Sequence, residues 1–168
     1  EITIPQYAET GFWEIADYSL YLSDEVDNYR YLTANDLTSA GFPTGFTVAG
    51  SESDTQAPTL ESFALSASTV DTSSSDATIT LNFELKDDLS GLDFAQIGFY
   101  SPSDNQSVFG YLSNSERISG TSTHGFYETE ITIPQYAETG FWEIADYSLY
   151  LSDEVDNYRY LTANDLTS

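Results

Sequence analysis

The 168-residue sequence contains no cysteine and no methionine, and it has only four basic residues and one histidine. Without thiols the chain can form no disulfide, so a small extracellular domain would have to be stiffened by a metal held through oxygen ligands. Because residue 1 is not methionine, we expect the chain to be an excerpt of a longer protein. No apolar run approaches the ~20 residues of a membrane-spanning helix, so we expect no membrane insertion.

Positively charged residues are also scarce. Twenty-eight acidic residues face the four basic ones, which gives a formal net charge of −24. This charge excludes nucleic acid as a partner and disfavours docking on anionic lipid. A folded chain of this charge also repels itself, so cations must offset the repulsion. Two interpretations stay open: a solvated acidic surface of the halophile or marine type, and specific binding of a divalent cation.

What the sequence does contain is a long repeat. Residues 1–39 and residues 130–168 are identical, so corresponding positions are 129 residues apart. Identity through loops as well as strands indicates recent duplication and a tandem array with a 129-residue period, although an engineered fusion would look the same. The small polar segment 50–54, followed by Ala57-Pro58, is typical of a linker. We therefore expect residues 1–52 to be the C-terminal part of one repeat and residues 53–168 to be the next repeat without its final strand.

The apolar residues follow the periodicity of strands. Apolar and polar residues alternate over 79–86, which predicts a half-buried antiparallel strand. Further strands are predicted through 63–65 and over 94–100, 108–112, 127–133, 140–151 (with a bulge near 145–146) and 158–161, and a helical turn at 163–166. With a final strand resembling Thr44–Val48 included, the domain would have seven or eight strands. Short strands at this spacing predict an all-β fold, an immunoglobulin-like antiparallel β-sandwich.

Three acidic segments are expected at one end of this sandwich, because successive antiparallel strands send their loops to alternate ends. The predicted metal-binding residues are Asp54, Asp87, Asp88, Asp93, Asp153, Glu154, Asp156 and Asn157, to which the repeat adds Asp24, Glu25, Asp27 and Asn28. Carboxylates this close raise one another's pKa values, and Ca²⁺, which takes about six to eight oxygen ligands, relieves the conflict. Mg²⁺ prefers fewer carboxylates, and Zn²⁺ prefers sulfur and imidazole. Each acidic loop alone is also typical of a solvated turn, which is what we expect of Asp71–Asp76 at the opposite end.

Four short motifs at these positions carry a family resemblance. They are Asp54-Thr-Gln-Ala-Pro58, Asp87-Asp88-Leu-Ser-Gly-Leu92, Gly140-Phe-Trp-Glu-Ile144 and Asp153-Glu-Val-Asp-Asn157. In this order they resemble the bacterial immunoglobulin-like or cadherin-like extender repeats of giant repeats-in-toxin surface adhesins, including marine ice-binding adhesins. One departure is that the last loop has no glycine, where such repeats often read Asp-x-Ala-Gly-Asn.

The resemblance implies a function as well as a fold. Such repeats bind Ca²⁺ near their domain junctions and act as stiff spacers in cell adhesion. The positions that match are Asp54, Asp87, Asp88, Asp153 and Asp156. The resemblance further implies a secreted protein at the bacterial cell surface, with neighbouring identical repeats as its partners.

Two other function classes compete with a spacer. We expect no enzyme, because His124 stands alone in the Ser/Thr/Gly-rich stretch 119–125 and a Ser-His-Asp set could be drawn from any acidic β-protein. The alternative is a carbohydrate-binding β-sandwich module, since thirteen tyrosines and two tryptophans could stack on sugars. Trp142 and its copy Trp13 alternate with isoleucine on one strand face, however, which favours core packing. Finally, a repeat without its last strand exposes a sheet edge, which predicts possible strand exchange between chains.

Overall fold

The computed structural model describes residues 1–50 and 52–166; Ser51 and the last two residues, which fall within the predicted repeats, lie outside that part. The chain forms two compact units, one of Tyr7–Ser53 and one of Glu1–Gln6 with Asp54–Ser168. The fold is all-β, and its strand pairs are antiparallel. No helix in the described part is long and apolar enough to cross a membrane.

The smaller unit contains two antiparallel strand pairs and one short helix. Its elements are β1 (Gly11–Glu14), β2 (Leu20–Ser23), β3 (Tyr29–Leu32), α1 (Ala34–Ser39) and β4 (Gly45–Val48). β1 pairs with β4, and β2 pairs with β3. A capping box begins the helix: the Thr33 hydroxyl accepts the Asp36 N–H at 3.3 Å, and the Asp36 carboxylate accepts the Thr33 N–H at 2.9 Å.

The larger unit is built from two antiparallel sheets. Its strands are β5 (Thr59–Leu65), β6 (Ala77–Lys86), β7 (Leu92–Tyr100), β8 (Ser107–Ser113), β9 (Arg117–Gly120), β10 (His124–Ile133), β11 (Glu143–Ile144), β12 (Leu149–Asp153) and β13 (Tyr158–Leu161). Short 3₁₀ turns lie at Asn114–Glu116 and Ala163–Leu166. One sheet has the order β5-β6-β10-β9. In the other, β7 pairs with β8 along one edge and with β11 and β12 along the other edge, and β13 follows β12.

The inner faces of both sheets form one shared core. On β6 the buried residues are Leu81, Phe83 and Leu85, as the alternation over 79–86 predicts. They belong to the same buried cluster as Ile97 of β7 and Leu151 of β12. The two sheets therefore cover each other, and their ends carry the connecting loops.

The predicted single strand over 140–151 was wrong. The chain forms two short strands, β11 and β12, which lie one after the other along the same edge of β7. A turn replaces the expected bulge: the Ser148 N–H donates to the Ala145 carbonyl at 3.1 Å, and Tyr147 has a φ of 64°. Tyr147 is consequently exposed and does not join the core with Leu149. Strand β9 was not predicted, because its sequence is short and rich in glycine and hydroxyl residues.

One hairpin sequence occurs twice, in two environments. β2 and β3 pair with Leu20 opposite Leu32, and β12 and β13 pair in the same register. Their packing differs: Leu22 is 51% exposed, whereas the corresponding Leu151 is fully buried beside β7. The hairpin is therefore specified by its local sequence, and its burial is specified by the neighbouring strand.

Candidate metal centre

Three carboxylates from separate segments meet at one end of the larger unit. Asp54 lies in the segment before β5, Asp87 directly follows β6, and Asp153 ends β12. Their exposed fractions are 3%, 6% and 1%. One carboxylate oxygen of each lies within 4.8 Å of those of the other two. We call these residues the three-aspartate centre.

Strand periodicity explains why two of these aspartates are buried. Successive side chains of a strand point to opposite faces, so residues two apart share a face. Asp87 continues the inward series of β6 that ends at Leu85, and Asp153 continues the inward series of β12 that ends at Leu151. The same alternation is present in the sequence. It places Asp87 in line with the buried residues of β6 and leaves its neighbour Asp88 exposed.

Backbone N–H groups hold the carboxylates of Asp54 and Asp87. Asp54 Oδ2 accepts the Ser90 N–H at 2.7 Å, and its Oδ1 accepts the Gln56 N–H at 3.1 Å. Asp87 Oδ2 accepts two N–H groups of its own loop, from Leu89 at 3.1 Å and from Gly91 at 2.7 Å. Asp54 therefore ties the linker side of the domain to the loop after β6.

Asp153 orders the loop after β12 in the same way. Its Oδ1 accepts the N–H groups of Val155 and Asn157, at 3.0 and 2.8 Å. Its Oδ2 accepts the Asn157 side-chain amide at 2.8 Å. Asn157 thus holds Asp153 in place, and the loop is joined to the neighbouring one by the Glu154 N–H, which donates to the Gly91 carbonyl at 3.1 Å.

Gly91 makes the close approach of these loops possible. Its φ of 94° lies in the left-handed region, which side chains other than glycine rarely adopt. A Cβ at this position would lie 2.7 Å from the Ser122 Cβ, which leaves no room for a side chain. Without a side chain at this position, the Gly91 N–H reaches the Asp87 carboxylate, and the Gly91 carbonyl accepts the Glu154 N–H.

One oxygen of the centre has no partner. Asp87 Oδ1 is buried and accepts no hydrogen bond within the described part of the chain, and the buried Ser90 Oγ is likewise without one. Burial raises the pKa of Asp87, two backbone N–H groups oppose this, and the charges of Asp54 and Asp153 raise it further. In Asp54, burial also raises the pKa, but the hydrogen bonds from Ser90 and Gln56 prevail and the pKa is lowered.

The centre has no protein cation to balance it. Throughout residues 1–50 and 52–166, no lysine or arginine side chain lies within 4.0 Å of a carboxylate oxygen, and the ion pair present joins His124 to Glu84 at 2.9 Å. An uncompensated buried charge is costly, whereas a bound cation converts an unpaired oxygen into a ligand. The donor set consists of oxygen atoms alone, which suits Ca²⁺ better than Zn²⁺, and three carboxylates suit Ca²⁺ better than Mg²⁺, which binds through one or two.

The other predicted ligands lie outside the three-aspartate centre. Asp88, Asp93, Glu154 and Asp156 are exposed, and Glu154 accepts the Asn114 side-chain amide at 3.0 Å. In the smaller unit the residues Asp24, Glu25, Asp27 and Asn28 are exposed. Asp24 makes the same loop hydrogen bonds as Asp153, at 3.0, 2.9 and 2.8 Å. Among the described residues Asp24 belongs to no cluster of three carboxylates, so that loop geometry does not depend on one.

The remaining polar features have local structural roles. In the turn at the opposite end, Asp71 accepts the Ser73 N–H at 2.9 Å and Asp76 accepts the Gln135 N–H at 2.7 Å. Trp142 is half-buried against the core, and its indole N–H donates to the Glu138 carbonyl at 2.9 Å.

One family model matches most of the larger unit. The model of a family described as a domain of unknown function, DUF7035, matches residues 53–167. No curated protein and no solved structure matches the chain.

Proposed function

Because this chain belongs to DUF7035, a family of domains of unknown function, we propose its role from the geometry of the three-aspartate centre. The larger unit is a calcium-stabilised structural repeat with an immunoglobulin-like sandwich fold. It serves as an extender, or spacer, in a large secreted bacterial surface adhesin, with identical repeats as its neighbours. In that role the repeat itself needs no ligand-binding surface.

The observation that carries the calcium proposal is the unpartnered, buried Asp87 Oδ1 beside two further buried carboxylates. The other oxygens of these aspartates are held by backbone N–H groups and by the Asn157 side-chain amide, so the centre is already arranged before a cation arrives. Asp54, Asp87 and Asp153 would hold Ca²⁺, and water or the Ser90 hydroxyl would supply further oxygens. The ion would link the domain entry, the loop after β6 and the loop after β12.

The spacer proposal rests on the repeat and on the position of the centre. Asp54 immediately follows Ser53, where the smaller unit ends, so an ion bound there stiffens the point at which the chain enters the domain. The identity between residues 1–39 and 130–168 indicates that the same unit recurs along the parent chain. A stiff, repeated unit extends a distant domain from a surface, a role that requires no ligand.

Calorimetry of the chain tests the calcium proposal. Ca²⁺ should raise the melting temperature, EDTA should reverse the rise, and Mg²⁺ at the same concentration should do much less. Sodium chloride at matched ionic strength is the control, because plain screening of the acidic surface would act through any salt. A melting temperature that ignores Ca²⁺, or that NaCl raises equally, would refute the proposal.

Small-angle scattering tests the spacer role separately. A four-repeat array should be a rod in Ca²⁺ and a more flexible, more compact chain in EDTA. Equal maximum dimensions and equal flexibility in both conditions would show that the ion does not stiffen the junctions.

A further inference from the structure

The outer face of the sheet that contains β7 carries two rows of uncharged side chains. One row runs across four strands as Tyr160, Tyr150, Gln96 and Tyr111, and the next as Tyr158, Ser152, Phe94 and Ser113. We call these eight residues the aromatic face. The outer face of the other sheet differs, because its strand β10 presents Glu128 and Glu130 to solvent.

The rings of the aromatic face form a continuous path. Tyr158 stacks on Tyr150 with centroids 5.9 Å apart, Tyr150 lies 6.2 Å from Phe94, and Phe94 stacks on Tyr111 at 6.1 Å. Tyr160 adds a fifth ring, 5.1 Å from Tyr150. Tyr111, Tyr158 and Tyr160 remain 51%, 61% and 51% exposed. Half the surface of these large rings is therefore available to a ligand.

The charge of the chain restricts what can bind there. A net charge of −24 repels polyanions, and a face without charged groups gives no ion pair to a polycation. Flat aromatic rings pack against the apolar C–H faces of sugar rings, while tyrosine hydroxyls and the Gln96 amide can donate and accept hydrogen bonds to sugar hydroxyls. A neutral polysaccharide combines these properties.

The size of the face argues against a second protein chain. Strands lie about 4.8 Å apart and residues two apart along a strand about 6.7 Å, so the eight residues cover on the order of 200–300 Å². Phe109, which stacks on Tyr111 at 6.4 Å in the next row, extends the aromatic surface to about 400 Å². A stable protein interface needs about 800 Å² from each partner. An extended oligosaccharide, which follows a path one ring wide, fits the smaller area.

We propose that the aromatic face binds a neutral polysaccharide by packing sugar rings against the exposed rings of Tyr111, Tyr158 and Tyr160, which Phe94 and Tyr150 hold in place from the side. The proposal is independent of the calcium centre. It gives the unit a weak ligand-binding surface in addition to a structural role, and each copy of the repeat would present the surface once. Many weak sites on one long chain would together give strong attachment.

Affinity electrophoresis of the whole chain tests this, in gels that contain dextran, galactomannan or mixed-linkage β-glucan, with Ca²⁺ held constant. At least one of these neutral polymers should retard the chain, and dextran sulfate should not. Tyr111→Ser and Tyr158→Ser should each weaken binding about tenfold, since truncating an aromatic side chain that contacts the ligand has effects of this order. Phe126→Ser is the matched control, because Phe126 is an exposed ring on the opposite sheet, and it should change nothing.

Three results would overturn the proposal. The first is no retardation by any neutral polymer, and the second is retardation that Phe126→Ser abolishes as fully as the tyrosine variants do. The third is a dimer in analytical ultracentrifugation that both tyrosine variants dissociate, because the face would then be occupied by a second copy of the chain. Circular dichroism of each variant checks that it is folded.

Discussion

Replacing Asp87 with asparagine should separate the two energetic roles of this side chain. Asp87→Asn keeps the shape of the residue and removes its charge. If the new amide oxygen accepts the Leu89 and Gly91 N–H groups, its NH₂ group takes the position of Oδ1 and points at Asp54 and Asp153. In the opposite orientation the NH₂ group would face two N–H donors. No orientation of asparagine therefore satisfies both the loop and a cation.

The expected effects have opposite signs with and without calcium. With a Kd of ~0.1 mM and ~10 mM Ca²⁺, wild-type protein gains about 2.7 kcal/mol. For a domain of about 110 residues this corresponds to a rise of about 12 °C in melting temperature. In EDTA the variant should instead be more stable than the wild type by about 1 kcal/mol, because the repulsion and the unpartnered oxygen are gone.

Differential scanning calorimetry of both proteins in Ca²⁺ and in EDTA measures the four melting temperatures that this comparison needs. Asp104→Asn, in an exposed turn, is the control and should keep the full rise in melting temperature that Ca²⁺ causes. If Ca²⁺ raised the melting temperature of Asp87→Asn as much as that of the wild type, the assigned role of Asp87 would be refuted. A variant that is less stable than the wild type in EDTA would show that the carboxylates are not in conflict.

Three further predictions follow from the same geometry. Asp153→Asn should remove calcium binding in titration calorimetry, whereas Asp24→Asn, an identical change in an identical loop, should leave the stoichiometry unaltered; equal losses would contradict the centre. Burial raises the pKa of Asp87 above its ordinary value of 3.8. In metal-free protein the stability that this group contributes is therefore present below pH 3.8 and is lost as the pH rises through the raised pKa. Protons therefore compete with Ca²⁺, and melting curves in Ca²⁺ and EDTA should converge as the pH falls from about 7 to about 4; a constant gap would contradict the assignment. Gly91→Ala should destabilise the domain by about 2 kcal/mol or more in urea unfolding, since its φ is 94° and a Cβ would meet another side chain at 2.7 Å, while Gly41→Ala, with open space around it, should cost about 1 kcal/mol.

Sequence periodicity predicted most strands of the larger unit because its core positions alternate so regularly. The buried residues of β6 can be identified without knowledge of the tertiary structure, because a strand buried on one face has a period of two. The break in 140–151 was not predictable in the same way. Its apolar residues are compatible with one bulged strand, and only pairing with β7 shows that Tyr147 turns outward with a positive φ.

The sequence also indicated which segments meet, but the number of acidic residues alone did not show which of them are buried. Loop topology brought the segments of Asp54, Asp87 and Asp153 together. Neighbouring acidic residues such as Asp88 could not be told apart by charge or composition. The alternation that precedes each loop distinguishes them, because a carboxylate in phase with the core is carried inward.

The duplicated hairpin has a consequence for how the chain folds. Residues 20–32 and 149–161 form the same hairpin, and nothing in their side chains distinguishes one copy from the other. During folding both copies can reach the free edge of β7 that Leu149 and Leu151 finally occupy. Selection of the correct copy then depends on the shorter loop that must close, an entropic preference that grows only slowly with chain length. Refolding of the chain should consequently show a slow phase from misdocked molecules, and this phase should disappear when the first hairpin is deleted.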